Sequence, residues 1–201
     1  MSSFNPWQRK HRNPTPQKRR KSFCIFTEGE TEKIYFKDFG LATIEVRCLD
    51  GGDVRHLAEE AKAYKRQPKY SGYDYYWLVF DKDDNSNDEI QQAISIAEKS
   101  QIHWCFSNPC FEIWYLLHFD YFQSQTTSED LKTRFLPSRI PGYEETMPGI
   151  YDILKDRQEI AVANSLKLWP QENRNKDAKQ FRVGPATNVD SLVCELNACN
   201  K

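Results

Sequence analysis

Along the first half of the chain, short apolar runs alternate with stretches whose apolar residues recur every three or four positions. Residues 22–27 (SFCIFT), 42–49 (ATIEVRCL), 75–80 (YYWLVF) and 102–106 (IHWCF) have the length and the β-branched or aromatic content of strands. Residues 31–39, 53–66 and 88–99 read as the helices between them. Val54, Leu57, Ala61 and Tyr64 share one face of the second, and Ile90, Ala93, Ile94 and Ala97 one face of the third. The run 75–80 is apolar throughout, as expected of a central strand covered on both sides. This βαβαβαβ alternation predicts an α/β fold: a Rossmann-like, mostly parallel sheet of four or more strands flanked by helices.

Punctuation along the chain places the element ends. Gly51 and Gly52 turn the chain, and Asp53 caps the helix that follows. At Ser107-Asn108-Pro109 the chain enters a helix over 110–119, with Asn108 suited to the N-cap and Pro109 to the first helical position. Beyond residue 122 the pattern is polar and helical, over roughly 128–135, 149–156 and 159–168. A last helix starts near Thr187, which has capping-box spacing to Asp190, and runs through Leu192, Val193, Leu196 and Cys199. The expected organisation is an α/β core over 22–122 and a mainly helical extension over 123–201, together one domain, preceded by a disordered arm over 1–21.

Charge sharpens the picture of the arm. The chain has 28 Lys and Arg against 29 Asp and Glu. Seven of the bases fall in residues 1–21, which hold no acid, so the remainder has 21 bases to 29 acids. Two readings of the arm stay open, contact with nucleic-acid phosphates and plain solvation. An acidic body repels phosphates, so binding would need a local patch. Lys176, Lys179 and Arg182 are candidates, with a solvated loop as the alternative.

The six cysteines form no C-x-x-C pair, and several sit inside apolar runs, which fits a reducing compartment. No apolar signal core follows the basic leader, and no run reaches the ~18 to 20 residues that span a bilayer. A soluble cytoplasmic protein is expected. Nucleotide binding through a P-loop, zinc binding through HExxH or paired Cys/His, and a serine-hydrolase elbow are all without a matching motif.

Candidate chemistry gathers at two predicted strand ends. Glu28 closes the first run, and Asp81-Lys82-Asp83-Asp84 closes the third. Ligands of open α/β sheets bind at the carboxyl ends of the strands. Carboxylates there attract Mg²⁺, a hard ion that takes oxygen ligands and keeps several waters. Asp81 and Asp83 are one residue apart and can face one side, while Glu28 approaches from another strand. Bland readings accompany each acid. Glu30 and Glu32 suit the first turn of a helix, where the macrodipole favours negative charge. Glu112 also lies near a helix start, and Asp84 and Asp88 suit a solvated or capped loop. Asp81 is the hardest to explain away, since a carboxylate ending a buried strand needs a partner or an ion.

The EGETE segment from Glu28, the DKD of 81–83, the helix opening SNPCFEIWYLLHF and the C-terminal GPATNVDSLVCEL together resemble the RloB family, over about residues 22–197. Gly184 and Ala186 depart from that family's NPSTNV pattern. The resemblance implies a Toprim-like domain similar to those of topoisomerases, primases and OLD-type nucleases. It implies Glu28 as general acid or base, Asp81 and Asp83 as holders of Mg²⁺ (or Mn²⁺), and Glu112 as a further ligand or as the acid that positions a basic partner. Glu32, Asp84 and His118 are possible supporting residues, His118 having the alternative of a satisfied helix histidine. The implied activity is that of a metal-dependent endonuclease acting on RNA, including tRNA, or DNA, an effector of bacterial anti-phage defence through abortive infection. An ATPase partner is implied as well, and a homo-oligomer is left open. The alternative is a non-catalytic module that binds nucleic acid or an ATPase.

Overall fold

In the computed structural model, which describes residues 20–41, 43–49, 51–174 and 184–199, the four apolar runs become strands of one sheet. The chain forms β1 (Phe23–Thr27), α1 (Glu30–Lys37), β2 (Ile44–Cys48), α2 (Val54–Lys65), β3 (Tyr75–Asp81), α3 (Asn87–Lys99) and β4 (His103–Asn108). The rest supplies α4 (Glu112–Leu117), α5 (Ser128–Asp130) running into a π-helical turn (Leu131–Phe135), and α6 (Ile150–Leu154) with a 3-10 turn (Lys155–Arg157). It ends with α7 (Gln158–Leu168), α8 (Gln171–Arg174), β5 (Ala186–Thr187) and α9 (Val189–Cys199). The strand order is β2-β1-β3-β4-β5, with β1 to β4 parallel and β5 antiparallel to β4.

Two apolar layers form because side chains alternate along each strand. Phe23, Ile25, Trp77, Val79 and Cys105 pack on one face with α1, α4, α7 and α9. Cys24, Phe26, Leu78, Phe80 and Phe106 pack on the other with α2 and α3. All five residues of β1 are buried, the mark of a strand covered on both sides. The α1 crossover runs over the first face to β2, whereas α2 and α3 run over the second. The strand order therefore reverses between β1 and β3, and a crevice opens at their carboxyl ends.

Local chemistry explains most of the boundaries. The Asp53 side chain accepts the His56 N–H at 2.8 Å and caps α2 as expected. A reciprocal capping box of Ser86 and Glu89 starts α3 at Asn87, with Asp88 inside its first turn. Two expected starts move. Asn108 ends β4 and donates its Nδ2 to the Gly184 carbonyl at 2.8 Å, and α4 begins only at Glu112. The predicted helix start at Thr187 gives way to β5, because Thr187 pairs with Ser107. Asp190 is no capping partner but a buried acceptor for Arg174 Nη1 at 2.8 Å.

The 123–201 stretch shares the core of the sheet: Leu131, Leu154, Leu168, Leu192 and Leu196 all lie in the first layer. Next to the two-residue β5, Asn188 continues the edge of the sheet with its side chain. Its Oδ1 accepts the Phe106 N–H at 2.6 Å and its Nδ2 donates to the Trp104 carbonyl at 3.2 Å. The six cysteines are free. Among the described residues, no helix is long and apolar enough to cross a membrane. The arm's residues 1–19 and the residues Lys176, Lys179 and Arg182 lie outside the described residues.

Candidate active site: carboxylates at the strand-order switch

Glu28 follows β1 and Asp81 ends β3, so the two meet where the strand order reverses. Glu28 Oε2 accepts the Asp81 N–H at 2.9 Å. The turn is held locally, since its own N–H donates to the Val79 carbonyl at 3.1 Å and Thr27 Oγ1 donates to the Gly29 carbonyl at 3.0 Å. Asp81 is buried. Its Oδ2 accepts the Phe111 N–H at 3.0 Å, which ties the entry of α4 to the end of β3, while its Oδ1 has no hydrogen-bond partner.

Glu32 reaches the same place from the first turn of α1. Its residue is 3% exposed and its Oε2 is unpartnered. Gly29 has φ −121, an ordinary extended value, yet a Cβ there would lie 2.7 Å from Glu32 Oε2. Any larger residue at this position would have to displace the end of the Glu32 side chain, with no demand on the backbone. The helix-start reading holds for Glu30, which is exposed and pairs with Lys33 at 2.6 Å. Glu32 keeps its place in the first turn, where the N–H groups of Gly29 and Glu32 meet its carboxylate, and its buried side chain also lies among the charges of Glu112 and Glu28.

Glu112, likewise a first-turn residue, is buried. Its Oε1 accepts the Tyr143 hydroxyl at 3.4 Å and lies 3.8 Å from Lys132 Nζ, which also pairs with Glu145. Asp83 stands exposed at the mouth with φ +33, an uncommon left-handed value for a non-glycine residue. Its N–H donates to the Pro109 carbonyl at 3.1 Å, and its Oδ1 accepts the Ser128 hydroxyl at 3.2 Å.

Crowding of acids away from water raises their proton affinity. Burial pushes Glu28 up to about 7, against the pull of the Asp81 N–H and with help from the charge of Asp83. Burial likewise pushes Glu32 up to about 8; the N–H groups of Glu32 and Gly29 oppose the shift, and the charges of Glu112 and Glu28 add to it. Asp81 lies well above the usual carboxylate range, first through burial and then through Glu32, Glu28, Glu112 and Asp83. Groups that shift one another titrate together, so at neutral pH the cluster shares protons unless a cation neutralises it.

Among the described residues, no three His, Cys, Asp or Glu side chains converge tightly enough to hold a metal ion as they stand. The expected set of Asp81, Asp83 and Glu112 is therefore not a closed coordination shell. The donor chemistry still suits a hard divalent ion. Asp81 Oδ1 and Glu32 Oε2 are carboxylate oxygens without partners, and Mg²⁺ commonly binds through one or two carboxylates and keeps its waters.

The remaining expected site residues fall elsewhere. Asp84 is exposed in the loop after β3. His118 is buried beside Trp114, its ring centroid 4.8 Å from that of the indole and its Nδ1 2.8 Å from the Trp114 carbonyl. Burial pulls it down to about 4, which keeps the ring neutral, and its Nε2 is buried without a hydrogen-bond partner. Lys132 and Tyr143 were not legible as site residues, since both come from the polar stretch beyond residue 122. Clefts of about 540 Å³ around Trp104 and Arg174 and about 570 Å³ beside Lys62 and Lys99 are lined by none of these carboxylates.

The family model of the RloB-like protein matches residues 23–196, and the chain belongs to that family. Comparison with curated proteins found no match, and comparison with solved structures found none.

Proposed function

We propose that this member of the RloB-like family is a divalent-metal-dependent nuclease that hydrolyses phosphodiesters of RNA, tRNA included, or of DNA. The observation that carries the reading is the pairing of Glu28 with the Asp81 amide at the strand-order switch, beside a carboxylate oxygen of Asp81 that lacks any partner. Resemblance to Toprim-like enzymes supports the same roles. Glu28, with a pKa near 7, is poised to take a proton from attacking water and return one to the leaving oxygen. Asp81, Asp83 and Glu112 would hold Mg²⁺ or Mn²⁺, which when bound polarises a phosphoryl oxygen and makes water a better nucleophile. Lys132 and Tyr143 fix the orientation of the Glu112 carboxylate.

In the cell this activity fits a cytoplasmic effector of anti-phage defence that is restrained or triggered by an ATPase partner. The test is cleavage of tRNA, ribosomal RNA and plasmid DNA by the purified chain with Mg²⁺ or Mn²⁺. Equal cleavage by the Glu28→Ala and Asp81→Ala variants would sink the assignment.

One observation favours a second reading, a non-catalytic module that docks on an ATPase and senses nucleic acid. No three acids converge as a metal site among the described residues. Calorimetric titration separates the two, because the module predicts no Mg²⁺ or Mn²⁺ binding that depends on Asp81 and Asp83.

A further inference from the structure

We propose that the cleft between Tyr121, Lys167 and Asn173 is a subsite for one unpaired nucleotide of the substrate strand. The proposal rests on the nuclease reading and adds to it a preference for single-stranded nucleic acid. The cleft measures about 450 Å³ and is also lined by Gln123 and Gly184. That size falls in the range of small-ligand sites. An aromatic ring, a cation and two side-chain amides, beside the apolar Leu168, Pro170 and Pro185, suit a base and its phosphate.

Lys167 Nζ sits 3.9 Å from the centroid of the Tyr121 ring, and the Tyr121 hydroxyl donates to Gln123 Oε1 at 3.1 Å. Lys167 is exposed, and an exposed cation–π contact is weak enough to be exchanged. A base can therefore take the place of the ammonium on the ring, because every base has a π-face, while the ammonium moves to the adjoining phosphate. The amides of Gln123 and Asn173 can meet the exposed edge of such a base, as side-chain amides do in base readout.

Two strips of chain join the cleft to the carboxylates. On one side Asn108 donates to the Gly184 carbonyl at 2.8 Å, and the next residue, Pro109, accepts the Asp83 N–H at 3.1 Å. On the other, the loop from Gln123 leads to Ser128, whose hydroxyl donates to Asp83 at 3.2 Å. Five extended residues reach at most about 17 Å. At about 3.4 Å per stacked nucleotide, the bound base lies within roughly five nucleotides of the bond that is cut.

The experiment measures fluorescence anisotropy of labelled oligo(U) and oligo(dT), single-stranded and paired with their complements, on the full-length Glu28→Gln chain with Mg²⁺. Single strands should bind more tightly than duplexes. Tyr121→Ala should weaken them by about 5- to 150-fold, the range for a lost base–aromatic stack, while Tyr121→Phe keeps the affinity. Lys167→Ala, at an exposed position that tolerates truncation, should lower the salt slope by about 0.7, one phosphate contact of a single strand. The proposal is overturned if Tyr121→Ala and Lys167→Ala both bind within twofold of the parent, if duplexes bind as well as single strands, or if the parent binds none of the probes. Cleavage by the Glu28-intact chain, followed in parallel, separates the two readings. Cleavage with Tyr121-independent binding removes the subsite alone, and Tyr121-dependent binding without cleavage removes the nuclease alone.

Discussion

Replacing Glu32 by Gln should lessen the loss of stability that alkali causes in this protein. The Glu32 carboxyl has a pKa of about 8 in the fold against 4.5 for the ordinary group. The folded state thus keeps a proton that the unfolded chain releases. The corresponding stability is fully present below about 4.5 and is lost as pH rises through about 8. At about 1.36 kcal/mol per pK unit the loss is on the order of a few kcal/mol, because Glu32 shares its protons with Asp81, Glu28 and Glu112. For a chain of this size each kcal/mol corresponds to roughly 2 to 4 °C in Tm. Glu28, raised to about 7, adds a loss in the same direction over a lower window.

A glutamine fills the same space without a charge to desolvate. Thermal melts in EDTA from pH 5 to 9 should show the wild-type Tm falling steeply and the Glu32→Gln curve falling less. The variant should be no more stable at pH 5 and clearly more stable at pH 9. If the two curves run parallel across that range, Glu32 does not carry the buried charge assigned to it.

Gly29→Ala should displace the Glu32 carboxylate, which the new methyl would meet at 2.7 Å, and so depress activity at a cost of about 1 kcal/mol or less, because the end of that side chain can shift; the cleavage assay and urea titration check both effects. Arg174→Ala leaves Asp190 as an uncompensated buried charge and should cost about 3 to 5 kcal/mol in urea unfolding, whereas Glu30→Ala, which breaks only an exposed ion pair, should cost under about 1 kcal/mol. Activity at saturating metal should rise with pH to a plateau, with a midpoint at or below about 7 set by deprotonation of Glu28, and Glu28→Gln should lose cleavage across the whole range.

The strands and the two principal acids were legible because both kinds of signal are local. Glu28 and Asp81 each end an apolar run, and a parallel sheet puts such ends on one side of the molecule. Glu32 was legible only as a possible supporting residue. Its place in the first turn of α1 suits the helix dipole as well as it suits the crevice, and only the path of α1 across the sheet decides between them. The start of α4 was misplaced because Asn108 and Pro109 look like a cap and a first helical residue. In the fold both are taken by distant partners, Gly184 and Asp83. Thr187 and Asp190 mislead in the same way: one is drawn into β5, the other buried against Arg174. Lys132 and Tyr143 approach Glu112 from segments whose own pattern shows only turns of helix. Contacts of long sequence separation are what periodicity cannot read.

Asn188 bears on the behaviour of the molecule in a crowded solution. A strand edge with free N–H and carbonyl groups is a template on which another chain can add. At β4 the two-residue β5 covers only Ser107 and Asn108, and the Asn188 amide occupies the Phe106 N–H and the Trp104 carbonyl beyond it. One side chain thereby stands in for a missing length of strand and withholds these two groups of the β4 edge from pairing with another chain, while β2 forms the opposite edge of the sheet.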